Sequence, residues 1–133
     1  MTANFKNTNQ EKKVLIIEED KKIADLYQKK IKALDLKVVV WNKQTDLLKN
    51  LKKEMPSLIL MNLVFISTNG WEVLKSIKKS KMFTNTPVII FSQLSQKEDI
   101  KKAFHMGVNA YFIKNHNSLA EVSQKIVSLI NKQ

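Results

Sequence analysis

The chain has 133 residues, 44% of them hydrophobic, and a formal net charge of +11. That length suits one ordinary domain with a real core, and its two glycines and two prolines argue against linkers, repeats or a disordered chain. The absence of cysteine excludes disulfides, thiolate metal centres and cysteine nucleophiles. No apolar run is long enough for a membrane helix. All 23 basic residues are lysine. Lysine brings charge without the forked geometry by which arginine reads guanine or phosphate. The lysines are also spread over every predicted helix, with no recognition helix or aromatic platform beside them. Nucleic-acid binding is therefore disfavoured, and a solvated lysine-rich surface is expected.

Residues 1–11 are polar and lack the apolar stretch of a signal peptide, so they are expected to form a flexible tail on a cytoplasmic protein. Residues 12–133 are expected to form the domain. Lys13-Val14-Leu15-Ile16-Ile17 reads as a buried strand running into Glu18-Glu19-Asp20. A helix follows over 21–34, with Ile23, Leu26, Tyr27, Ile31 and Leu34 on its inner face. Residues 37–41, rich in valine, read as a second strand. Asn42 or Thr45 is placed to cap the next helix, which carries Leu47, Leu48 and Leu51 and stops before Pro56. Leu58-Ile59-Leu60-Met61 is a third strand, wholly apolar and so buried on both faces, ending at Asn62.

After an irregular segment, Asn69 and Glu72 have the spacing of an N-cap with its partner, opening a helix on Val73, Leu74 and Ile77. Val88 to Phe91 is a fourth strand, ending at Ser92. Ser95 and Glu98 have capping-box spacing before a helix bearing Ile100, Ala103 and Phe104, with Gly107 suited to its C-terminus. Ala110 to Ile113 is a fifth strand, ending at Lys114. Ser118 and Glu121 form another capping box and open a last helix on Val122, Ile126, Leu129 and Ile130.

Five strand-helix units in strict alternation specify a parallel sheet with helices on both faces. The expected fold is α/β, a flavodoxin-like doubly wound five-stranded sheet of order 2-1-3-4-5. The chain is too short for a (β/α)₈ barrel. Neither GxGxxG nor GxxxxGK[ST] occurs, so nucleotide-binding versions are disfavoured. In this strand order the polar residues after strands one, three, four and five line one cleft. They are Glu18, Glu19 and Asp20, then Asn62, Ser92 and Lys114. Singly, each has an ordinary explanation as a turn, a helix-dipole partner or a surface charge.

Together, in this order, they resemble the receiver domain of two-component response regulators, over almost the whole chain from Lys12 to Lys132. Ile16-Ile17-Glu18-Glu19-Asp20 is similar to the acidic cluster that holds Mg²⁺. The run from Pro56 to Leu63, followed by Asn69-Gly70-Trp71-Glu72-Val73-Leu74, resembles the segment carrying the phosphoacceptor aspartate. The resemblance puts a main-chain Mg²⁺ ligand at the Val64 carbonyl, the switch hydroxyl at Ser92, the switch aromatic at Tyr111 and the active-site lysine at Lys114.

Departures from the pattern decide the expected function. Asn62 stands where the family has its aspartate. Acyl-phosphate chemistry needs a carboxylate nucleophile, and an amide is both a poor nucleophile and a weaker ligand for a hard cation. Glu18 and Glu19 are one methylene longer than aspartate. Ile66 and Asn115 replace usual prolines, and Asn69 replaces an acid. The expectation is a stand-alone pseudo-receiver, not an enzyme, holding Mg²⁺ weakly if at all through Glu19, Asn62 and Val64. It would act by protein contact with a histidine kinase or another regulator, or as a homodimer. The expected surface is the helix 4, strand 5, helix 5 face around Lys97, Lys101 and Tyr111, with no output domain after the last helix. One alternative is a conventional phosphorylatable receiver with an unusual or engineered Asn62. Another is a lysine-rich nucleic-acid or anion binder on the same scaffold.

Overall fold

A computed structural model of the chain describes residues 12–41 and 46–133. The strands are β1 (Lys13–Ile17), β2 (Lys37–Val40), β3 (Leu58–Met61), β4 (Val88–Ser92) and β5 (Ala110–Ile113). The helices are α1 (Lys21–Lys32), α2 (Leu47–Glu54), α3 (Gly70–Lys79), α4 (Lys97–His105) and α5 (Leu119–Asn131). All pairings are parallel and the order is β2-β1-β3-β4-β5, as expected.

The apolar runs of the central strands follow from the period-two geometry of a strand, which sends alternate residues to opposite faces. Leu15, Ile17, Ile59, Met61, Val88 and Ile90 pack against Leu51, Val73, Leu74, Ile77 and Ala103 of α2, α3 and α4. Val14, Ile16, Leu58, Leu60, Ile89 and Phe91 pack against Tyr27 and Ile31 of α1 and Val122, Ile126 and Ile130 of α5. With both faces covered, neither half of these strands can be polar. Each fully buried aliphatic side chain contributes on the order of 2 kcal/mol.

Leu26, expected on the inner face of its helix, lies outside, as do two other apolar residues named on the expected helices. Leu26 is 58% exposed, Phe104 48% and Leu48 36%. The buried stripe of α1 runs instead through Ala24, Tyr27 and Ile31. Leu26 and Phe104 each sit one residue, or about 100° of helix, from a buried neighbour. Alanine at 24 and 103 lets a helix approach the sheet closely, and that small residue sets the inward direction. Helix α1 also stops at Lys32, short of the expected 34.

The caps divide. Asp20 caps α1 by accepting from the Lys22 and Ile23 amides. Asn42 and Thr45 lie outside the described residues, and Asp46 caps α2. Asn69 caps α3 through the Trp71 amide, and Ser118 with Glu121 closes a complete capping box on α5. The Ser95 box does not form. Gln96 occupies the N-cap of α4 without a side-chain bond, leaving Glu98 and Asp99 in the first turn to face the dipole. Gly107, with φ of 97°, follows the Met106 C-cap, a left-handed turn suited to glycine.

Met55 ends α2 at φ of 47° with its side chain 54% exposed. A side chain in the left-handed region costs about 1 kcal/mol relative to glycine, and little burial offsets it here. Met55→Gly should therefore stabilise the domain by about 1 kcal/mol, raising the Tm by roughly 4 °C. An unchanged or lower midpoint in thermal unfolding would show that no such strain is held there.

Candidate functional site

Strand register assembles the cleft. Ile17 pairs with Met61, so Glu18 and Asn62 leave the sheet side by side. Ser92 pairs with Ile113, which puts Lys114 one residue beyond. Glu18, Asn62 and Ser92 are all buried.

Asn62 is turned back onto its own loop. Its Nδ2 donates to the Val64 carbonyl at 3.0 Å, and its Oδ1 accepts from the Val64 amide at 3.2 Å. A peptide N–H only donates and a carbonyl only accepts, so these two partners fix which end of the amide points where. No carboxylate can make both bonds, since at neutral pH it has no donor. The Asn62 amide thus closes a small ring with the Val64 backbone.

Glu19 is engaged by the same loop. Its carboxylate accepts from the Ile66 amide, from the Ser67 amide at 3.1 Å and from the Ser67 hydroxyl, and these are not its only contacts. Asp20 is occupied by its capping role. Among the described residues no group of three or more His, Asp or Glu side chains converges on a metal position. Mg²⁺ needs an octahedral shell of accepting oxygens. Here an amide N–H₂ already holds the Val64 carbonyl, and backbone N–H groups hold Glu19. As oriented here, the Asn62, Val64 and Glu19 groups are engaged with one another's loop.

Lys114 reaches Glu18, with Nζ 3.1 Å from Oε2. The two side chains are only 13% and 4% exposed. The Asp20 amide donates to the other oxygen of Glu18 at 3.1 Å, and the ammonium lies 5.9 Å from the centre of the Tyr27 ring. Tyr27 is itself stacked on Phe91, and burial together with the Glu18 charge pushes its phenol up to about 12. No hydrogen bond joins Lys114 to Asn62 among the described residues.

Ser92 and Tyr111 meet at the turn after β4. The Ser92 hydroxyl oxygen accepts from the Leu94 amide at 3.2 Å, while the Tyr111 hydroxyl donates to the Leu94 carbonyl at 2.7 Å. Tyr111 is half-buried against the core, and burial, then the Asp99 charge, raises its phenol to about 12. Both hydroxyls therefore hold one residue of the β4–α4 turn from its two sides. At the other end of the cleft, Asn115 takes φ of 76°, a left-handed conformation asparagine tolerates and a proline ring, fixed near −65°, does not.

Residues outside the motif pattern stand beside this cleft. Asp25 and Gln28 of α1, Trp41 after β2, and Phe65 and Thr68 of the loop surround a cavity of about 430 Å³ with Glu18 and Glu19. Phe65 is the legible signal, an aromatic in an otherwise unstructured segment after a strand end. The loop also presents Ile66 almost fully to solvent.

Residues 14–126 match the family described as the response regulator receiver domain. Similar proteins include the probable methanogenesis regulatory protein FilR2 of Methanothrix harundinacea, 31% identical over 62 residues, 47% of this chain and 40% of that protein. Response regulator Rcp1 of Synechocystis is 24% identical, over 83% of this chain and 81% of its own. The crystal structure of its Mn²⁺-bound form superposes with a TM-score of 0.72, covering 88% of this chain and 92% of that one. The receiver domain of the Francisella response regulator 1452 superposes with a TM-score of 0.81 at 26% identity, covering 91% of this chain and 98% of that one. The chain spans half or less of the length of the first curated relatives it matches. With the five-stranded parallel sheet, the strand-end cleft and a family match over most of its residues, the chain belongs to the response regulator receiver domain family.

Proposed function

We propose that this receiver is a pseudo-receiver. It does not accept a phosphoryl group, has no catalytic activity of its own and signals through protein contacts. The observation that carries this reading is the closed ring between the Asn62 amide and the Val64 backbone. An amide there offers no anionic oxygen to an incoming phosphorus, and positioning or electrostatics cannot supply a missing nucleophile. Mg²⁺ is held weakly or not at all, in contrast to the Mn²⁺-bound relative. Lys114, which would pair with a phosphoryl group, serves Glu18 instead. The contact surface is the α4–β5–α5 face with Lys97, Lys101 and Tyr111, and the partner is a kinase, another regulator or a second copy of the chain.

The test is a phosphodonor assay read by intact mass. Acetyl phosphate or a phosphohistidine donor, with Mg²⁺ present, should leave the protein unmodified. Asn62→Asp replaces the donating nitrogen by oxygen and sets two oxygens about where the 3.0 Å bond now lies. Without metal, that variant should lose about 1–2 kcal/mol, the cost of a broken buried hydrogen bond. Mg²⁺ should restore part of the loss, and slow formation of a hydroxylamine-labile phosphate should follow. Robust acyl phosphorylation of the unaltered chain would overturn the proposal.

A further inference from the structure

The 430 Å³ cavity beside the cleft has a composition of its own. It lies between the first turns of α1, the end of β2 and the loop before α3, in the size range of small-molecule sites. Lys21, Ala24, Asp25 and Gln28 fall on one stripe of α1, at helical spacing. Ala24 is buried and has only a methyl group, which leaves the space open. Trp41 and Phe65 pack partly against the core, so their rings are supported walls and not loose surface groups. Three carboxylates, Glu18, Glu19 and Asp25, line a space that has Lys21 as its only cationic lining residue among the described residues. That reverses the sign of a chain carrying +11. Glu18 and Glu19 both have partners, whereas Asp25 makes no hydrogen bond or ion pair among the described residues.

We propose that this cavity binds a small organic cation with an apolar body, an aryl or alkyl ammonium, its body against Trp41 and Phe65 and its charge toward Asp25. Aromatic faces attract cations through their quadrupole, tryptophan most strongly, and a neighbouring carboxylate adds to the same sign. Other ligand classes fit worse. A phosphorylated ligand would face three carboxylates with no glycine-rich loop to cradle it. A hard divalent ion wants a full oxygen shell, which two aromatic walls do not provide.

The experiment is an amide-shift titration of the full chain with benzyltrimethylammonium, alongside benzyl alcohol and phenylacetate as neutral and anionic counterparts. The cation should produce saturable shifts centred on Ala24, Gln28, Trp41, Phe65 and Thr68 at roughly millimolar concentration, as befits a small ligand. Asp25→Asn should weaken it about tenfold, the worth of one close charge contact. Asp25 is exposed, and thermal unfolding of the variant should be unchanged, which separates lost binding from lost folding. No saturation with the cation, equal binding of benzyl alcohol or phenylacetate, or an unaltered affinity in Asp25→Asn would each overturn the proposal. It is independent of whether Asn62 or its aspartate variant takes phosphate, so failure of one reading leaves the other standing.

Discussion

Replacing Gly70 with alanine should remove about 3 kcal/mol of stability or more, a large part of the 5–15 kcal/mol that holds a typical domain. A β-carbon at Gly70 would lie 2.0 Å from the Leu63 carbonyl oxygen, 2.5 Å from its carbon and 2.7 Å from the Leu63 α-carbon. All three are backbone atoms directly after β3, where they cannot move without shifting Asn62 and its ring with Val64. Helix α3 starts against this turn because glycine lets the two backbones touch. The reason is space and not conformation, since Gly70 is not among the residues of positive φ. Gly107 provides the contrast. It needs φ of 97°, but a β-carbon there meets only the Lys78 stem at 3.7 Å. Gly107→Ala should cost only about 1 kcal/mol, the conformational strain alone. Denaturant unfolding of both variants is the check. Similar losses would show that the close approach at Leu63 can relax.

The second large effect is expected at Lys114. Lys114→Met should cost about 3 kcal/mol, because it leaves Glu18, a carboxylate with a 4% exposed side chain, without its cation. Coulomb attraction alone would not give that figure, since desolvating two charges offsets much of what their pairing returns. The loss comes from stranding one buried charge. The double variant Glu18→Gln/Lys114→Met should accordingly recover most of the stability, as both charges are then gone and the methionine stem still packs near Tyr27. Chemical denaturation of the two single variants and the double variant closes the cycle. Additive losses would mean that the pair is not coupled, and that Lys114 is held by its methylene stem and not by Glu18.

Much of this fold is legible in the order of the amino acids. The five apolar strands stand out because a strand buried on both faces must be apolar at every position. The alternation of strands and helices then leaves a parallel doubly wound sheet as the compact solution. Local hydrogen-bond signals are a less even guide. Ser118 with Glu121 and Asn69 behave as their spacing indicates, since a cap needs only atoms within one turn. Ser95 does not, because the helix begins one residue later and Gln96 takes the cap. Helix faces are the least legible feature: Leu26 and Phe104 are hydrophobic, but the small residues Ala24 and Ala103 decide which side meets the sheet.

At the site, residue order alone dictates which side chains gather at the strand ends, and that the residue after β3 is an amide. Strand order and register do the rest of that work, because the residue after each parallel strand must emerge at the same edge. What each of these side chains holds is a matter of packing. Asn62 turns to the Val64 backbone, Glu19 to the loop before α3 and Lys114 to Glu18. Each has several polar groups within reach along the chain, and spacing does not rank them. The choice depends on which donors and acceptors the packed loops leave unsatisfied, a property of the whole fold. The cavity walled by Trp41 and Phe65 is of the same kind: three segments distant in sequence form it, and Phe65 alone hints at it without saying what it faces.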